Sequence, residues 1–242
     1  MKRKLCILIS IVLLQFLSRV GFCQTTASKL SFKNTGITGL SQAVGINFAA
    51  DGYAYIWEKA GKVKSVAPNS TGTTTLLDLS DEVYHPSGED HGLLGFALDP
   101  DFSTNGYVYL WYTVEGRVLF NDPGIALDQS GPTQGRCTRY TVQNHQINPN
   151  TRLVLLGDAL GDGPPILSST HGVGTCFFDQ SGYLMLSVGD GSFGDSWGSL
   201  AVSKGMMSQA MLNLHSERAQ VDSCLAGKIL RIDPATGGQS AF

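Results

Sequence analysis

Charge is scarce in this sequence. Only 15% of its 242 residues are charged, with 17 Lys and Arg against 20 Asp and Glu, where an average chain has about 25%. No basic excess is available to neutralise a phosphate backbone, which argues against nucleic-acid binding. Cysteine is thin as well: five residues, none in CxxC spacing, so there is no zinc framework. The P-loop and the HExxH helix are both missing. With them go the commonest NTPase and metalloprotease chemistries. The longest apolar run, Leu5 to Leu17, holds Gln15 and is followed by Arg19, short of the ~20 residues that span a bilayer.

That run follows Lys2, Arg3 and Lys4 and leads to Gly21-Phe22-Cys23, the layout of a secretory signal cleaved after Cys23. Residues 1 to 23 are therefore set apart from the fold. Residues 24 to 242 read as the exported chain, secreted or periplasmic, with no membrane span left. The signal takes four basic residues and no acidic one, leaving 13 basic against 20 acidic. Cys137, Cys176 and Cys224 remain; one disulfide with one buried thiol, and three buried thiols, are both open. Asn69-Ser70-Thr71 is a glycosylation sequon if the source is a eukaryote.

What the sequence has in excess is glycine, 29 residues with no Gly-X-Y period. Glycine at this level without low complexity points to many tight turns and many short strands. A local pattern bears this out: Asp51-Gly52-Tyr53, Asn105-Gly106-Tyr107 and Ser181-Gly182-Tyr183 each open a Tyr-led run with period-two alternation. Each follows a short apolar run and so predicts a hairpin. A third strand with a Gly-Lys start is expected from Gly61 and again from Gly227. Hairpins repeated in one composition predict radial β repetition, an all-β propeller. One stretch reads as helical, Ser199 to Leu214, broken near Gly205, with its methionines in core packing.

His171 lies among small residues, between Thr170 and Gly172-Val173-Gly174, where a ligand could approach an imidazole closely. Imidazole titrates near neutrality and suits a general base. Gly189-Asp190-Gly191 closes the next hairpin. If the two strands pair, His171 and Asp190 meet at one end, and a carboxylate there can orient the imidazole or bind a hydroxyl. Gly88-Glu89-Asp90-His91-Gly92 enters a strand of the preceding repeat and is expected at the same end. Asp190 and Asp195 suggest part of a calcium loop, but their spacing fails the EF-hand pattern.

In order along the chain these segments resemble the soluble quinoprotein glucose/sorbosone dehydrogenase family. The resemblance is carried by Gly92-Leu93-Leu94-Gly95-Phe96-Ala97, Asp99-Pro100-Asp101-Phe102 and Asn105-Gly106-Tyr107-Val108-Tyr109. It continues through His171-x-x-Gly174, Gly182-Tyr183-Leu184 and Gly189-Asp190-Gly191, and ends on Gly227-Lys228-Ile229-Leu230-Arg231-Ile232-Asp233-Pro234. It implies a six-bladed propeller, of which this length supplies about three to four blades. It further implies a sugar substrate, with pyrroloquinoline quinone (PQQ) and calcium as cofactors. By position, His171 becomes the base for the anomeric hydroxyl, and Asp190 the carboxylate that contacts sugar and histidine. Asp90, with Glu89 as the fallback, becomes the group that hydrogen-bonds the sugar. The groups holding quinone and calcium are expected beyond Phe242, so no metal ligand is assigned. The competing reading is a non-catalytic extracellular propeller that binds a protein or a glycan, of the hedgehog-interacting kind.

Overall fold

The computed structural model describes residues 31 to 238 except 32 and 193; the signal peptide expected at residues 1 to 23 lies outside them. All strands belong to the unit that begins at Gly36. β1 (Ala43–Phe48), β2 (Ala54–Glu58), β3 (Lys62–Val66) and β4 (Thr74–Asp78) form a first antiparallel sheet in chain order. β5 (Leu93–Leu98), β6 (Tyr107–Thr113), β7 (Thr133–Gln143) and β8 (Gln146–Leu156) form the second, with the short β9 (Pro165–Ile166) also on β7. β10 (Val173–Phe178), β11 (Leu184–Val188) and β12 (Ile229–Ile232) form the third. Three sheets fall within the three to four blades expected.

The Gly-Tyr repeat is a structural one. Each hairpin closes with the same backbone bond, Ala49 N–H to Tyr53 carbonyl (2.9 Å), Asp99 to Tyr107 (3.0 Å) and Asp179 to Tyr183 (2.9 Å). Gly52, Gly106 and Gly182 hold φ of +87°, +68° and +81° in these turns, a region that side chains resist. The repeated tyrosines are capped alike: His145 stacks on Tyr53, while Arg139 and Arg231 lie 4.2 and 3.6 Å over the rings of Tyr107 and Tyr183.

A Gly-Trp pair joins one sheet to the next. Gly45 lies opposite Trp57 and Gly95 opposite Trp111, and a Cβ on Gly45 would collide with the Trp57 ring. With that space left bare, the Trp57 indole donates to the Leu94 carbonyl of the second sheet (3.3 Å), and Trp111 to the Ser187 carbonyl of the third (3.0 Å). Around the first pair Tyr55, Trp57 and Val63 pack on Phe96, Leu110 and Tyr112. Around the second, Tyr109, Trp111 and Cys137 pack on Cys176, Leu186 and Ile232. Each such large side chain, wholly buried, contributes about 2 kcal/mol. The outer faces carry exposed apolar groups, Phe48 (69%) with Val44 and Ile46 on the first sheet, Ile229 (60%) with Phe177 on the third.

Two features differ from, or resolve, the sequence reading. The longest hairpin, β7–β8, carries no Gly-Tyr signature; its turn is Asn144-His145, at φ +51° and +56°, the both-positive pairing that suits a two-residue hairpin. Cys137, Cys176 and Cys224 are all buried thiols with no disulfide, and burial pushes the Cys137 and Cys176 thiols well up. Two short helices, α1 (Phe102–Asn105) and α2 (Gly116–Leu119), flank β6. The helical stretch read from the sequence divides as expected around Gly205, into α3 (Gly198–Ser203) and α4 (Gln209–Leu212), and Met206 packs on Leu167, Ala201 and Leu212. A 3-10 turn (His215–Gln220) completes the set.

At the start of α2 sits a carboxyl whose pKa the fold raises. Glu115 is fully buried, accepts the Asp128 N–H (2.8 Å) and has its other oxygen without a partner among the described residues. Burial first, then the neighbouring Asp128 carboxylate, raises its pKa to about 7. Between the ordinary carboxyl value and about 7 the folded chain therefore holds a proton that the unfolded chain has lost, and stability falls as pH rises through that window. Glu115→Gln removes this slope and stabilises the protein at pH 8 by about 2 kcal/mol. Urea denaturation of both proteins at pH 5 and pH 8 checks it; parallel slopes with pH would refute the assignment.

Candidate active site

The start of β5, the start of β10, the end of β11 and the start of β12 open at one end of the sheets. There a cavity of about 570 Å³ is lined by Asp90, Leu94, His171, Gly172, Gly174, Ser187, Asp190, Gly227, Lys228 and Ile229, among others. The hairpin register places its central pair. Val173 is opposite Val188, so His171, two residues before the one, and Asp190, two after the other, stand side by side. His171 Nδ1–H donates to Asp190 Oδ1 at 2.8 Å. In the neutral form of the ring this bond puts the lone pair on Nε2.

The loop carrying His171 is held from several sides. Its backbone is left-handed, φ +61°, a conformation that costs a non-glycine residue about 1 kcal/mol and persists only where the surroundings enforce it. Gly191 N–H donates to the His171 carbonyl (2.9 Å), Gly189 N–H to Gly172 (2.8 Å), and Asp90 N–H to Ser169 (3.1 Å). Asp190 is itself anchored, accepting the Ser192 N–H at 3.1 Å. The imidazole remains half exposed, at 48%.

Of the four residues singled out in the sequence, His171, Asp190 and Asp90 line the cavity. Glu89 does not. Its carboxylate accepts from the Tyr84 hydroxyl (2.9 Å) and the Ser130 hydroxyl (3.3 Å), and Lys59 caps its carbonyl (2.5 Å). Asp195 is also engaged elsewhere, by Arg218 and His215. Among the described residues no group of three or more His, Cys, Asp or Glu side chains is placed to hold a metal ion.

One lining residue, Ser187, occupies a position the sequence reading passed over. Counted from the repeated Gly-Tyr, Ser187 occupies the register of Trp57 and Trp111. Where the first two blades lay an indole, the third has a hydroxymethyl group bonded to Thr175 N–H (2.8 Å) and carbonyl (3.1 Å). Aligning the three repeats shows the exchange, GYAYIW and GYVYLW against GYLMLS. Lys228 was also missed; it is the one cation of the lining, and its Nζ donates to the carbonyls of Ala219 (2.5 Å) and Ala226 (3.1 Å).

Comparison with known proteins gives a consistent picture. The Glucose / Sorbosone dehydrogenase family profile matches residues 40–240. Human Hedgehog-interacting protein is 31% identical over 165 residues, 64% of this chain and 21% of its own length. Quinoprotein glucose dehydrogenase B of Acinetobacter calcoaceticus is 31% identical over 110 residues, 45% of this chain and 21% of its own. Among solved structures, the PQQ-bound aldose sugar dehydrogenase of Streptomyces coelicolor superposes with a TM-score of 0.56 at 20% identity, covering 83% of this chain and 47% of that one. An oxidoreductase (glucose dehydrogenase) of Thermus thermophilus gives 0.57 at 24%, covering 85% and 48%. The chain thus spans about half the length of these structures and about a fifth of the curated relatives. Its fold is part of a β-propeller. No described helix is long and apolar enough to cross a membrane.

Proposed function

Because the chain belongs to the glucose/sorbosone dehydrogenase family, we propose that it oxidises the anomeric hydroxyl of an aldose or related sugar, with PQQ as hydride acceptor. The observation that carries this reading is the His171–Asp190 pair at 2.8 Å on the wall of a cavity large enough for a sugar. Oxidation of an anomeric C–OH to a lactone gives up one hydroxyl proton and one hydride. PQQ, when bound, supplies the two-electron sink. His171 Nε2 takes the hydroxyl proton, and the Asp190 carboxylate on the other ring nitrogen stabilises the imidazolium that forms. Asp90 accepts a hydrogen bond from a second sugar hydroxyl.

The fit to the quinone is incomplete among the described residues. PQQ carries three carboxylates, and the lining offers them one cation, Lys228, already shared with two carbonyls. What these residues hold is the substrate side: base, orienting carboxylate and hydroxyl acceptor. Calcium rests on the resemblance alone. Export through residues 1 to 23 places the reaction outside the cytoplasm in this reading.

The test is dye reduction. Protein supplied with PQQ and Ca²⁺ reduces an electron-accepting dye when aldoses are added; no reduction with any sugar, by protein whose circular dichroism shows intact sheet, overturns the proposal. One observation favours a second reading, since the match to human Hedgehog-interacting protein is longer than that to the quinoprotein, 165 residues against 110. A folded protein that takes up no PQQ in calorimetry but binds a protein or glycan partner would establish that reading instead.

A further inference from the structure

His91 follows Asp90 in sequence but turns away from the cavity. It is fully buried, with ring centroids of Tyr84 and Trp197 at 5.4 and 6.2 Å. Its Nε2–H donates to the Ser168 carbonyl at 2.8 Å, which leaves a lone pair on Nδ1. Nδ1 has no hydrogen-bond partner among the described residues. It faces residue 172, where a Cβ would lie 2.8 Å from it. Only glycine at 172 lets the imidazole in. The ring therefore bears on the His171 loop at two points, three residues before the base and one residue after it. Burial keeps the pKa of His91 below the ordinary histidine value, against the pull of the Ser168 carbonyl and of Glu89, whose carboxylate is 3.9 Å from Nε2.

We propose that His91 is a positioning residue: a neutral imidazole strut that sets the 168–172 loop so that His171 keeps its left-handed backbone and its Nδ1–H on Asp190. The inference rests on the reading of His171 as the base, but its geometry is independent of quinone and sugar. A general base displaced by about 1 Å loses up to ~100-fold in rate, so the strut acts on turnover without touching substrate. Trp197, on the loop after β11, packs near the His91 ring and donates its backbone N–H to the Leu167 carbonyl (3.0 Å).

Three variants separate this role from simple packing. In His91→Gln the side-chain amide reaches as far as Nε2 and can donate to Ser168; in His91→Asn it reaches only as far as Nδ1; in His91→Leu the volume remains and the donor is gone. Two readouts apply, kcat and KM for an aldose with added PQQ, and, with neither sugar nor quinone present, ¹⁵N NMR of the His171 ring to read its tautomer. The Leu and Asn variants lower kcat about 10-fold or more with KM within about 2-fold, and their His171 loses the Nδ1–H tautomer. The Gln variant returns both. If Leu and Asn keep the wild-type tautomer, or if Gln fails to restore it, the proposal is overturned. Should the Leu variant not fold, the Gln–Asn contrast decides alone. Should the wild type turn over no sugar while its tautomer follows the donor as described, the strut stands and the proposed activity falls.

Discussion

Replacing His171 by alanine lowers kcat/KM toward sugar about 1,000-fold, the mid-range contribution of a positioned general base; that is about 4 kcal/mol of transition-state stabilisation. The side chain is half exposed, so its loss opens no cavity and the melting temperature moves little. Alanine does leave a Cβ at φ +61°. Asparagine tolerates that backbone better, so His171→Asn should match the wild type in stability and the alanine variant in lost turnover. The comparison isolates the imidazole from the loop that carries it. Steady-state dye reduction and thermal melts on the three proteins suffice. More than a tenth of wild-type activity in either variant would remove His171 from the mechanism.

Asp195→Ala has the largest expected effect on stability. Arg218 is completely buried, and Asp195, 5% exposed, receives it through Nη2 on Oδ1 (2.5 Å) and Nη1 on Oδ2 (3.1 Å), with His215 Nδ1 also on Oδ2 (2.8 Å). Removing the carboxylate leaves a buried guanidinium with the Leu212 carbonyl as its one remaining partner among the described residues, and breaking a buried pair from one side costs about 3–5 kcal/mol. For a chain of this size the melting temperature falls by roughly 10 °C. Burial alone would raise the Asp195 pKa, but the hydrogen bonds from Arg218 and His215 and the Arg218 charge hold it below the usual carboxylate range. A carboxyl lowered on folding stabilises above its unfolded value near 3.9 and loses that contribution as pH falls through the lower folded one. The gap between wild type and Asp195→Ala should therefore narrow below about pH 4. A gap under 1 kcal/mol at pH 7 in urea would show the pair to be no more than a surface contact.

The parts legible in the sequence are those where one residue type answers one local demand. Gly52, Gly106 and Gly182 announced their hairpins because each turn needs a positive φ. The β7–β8 hairpin did not, because its turn puts Asn144 and His145 in that region without glycine. The His171–Asp190 pair followed from hairpin logic, two strand ends brought level by pairing. Asp90 could be told from Glu89 only by the resemblance, since adjacent residues diverge according to which partner captures each, and Tyr84 captures Glu89. His91 was invisible as a strut for the same reason; its partners Ser168 and Gly172 lie about 80 residues away in sequence. Long-range capture of this kind leaves no periodicity to read.

Ser187 has a consequence beyond its place in the lining. In a molecule assembled from similar units, every unit offers an equivalent place for a guest, and nothing in the plan distinguishes one from another. Among the described units two lay an indole against the next sheet, and the third carries a hydroxymethyl group at that register. On the proposed reading, chemistry among the described residues then has its address at the third unit, and the residues that act there can change without disturbing the seams between the first two units and their neighbours.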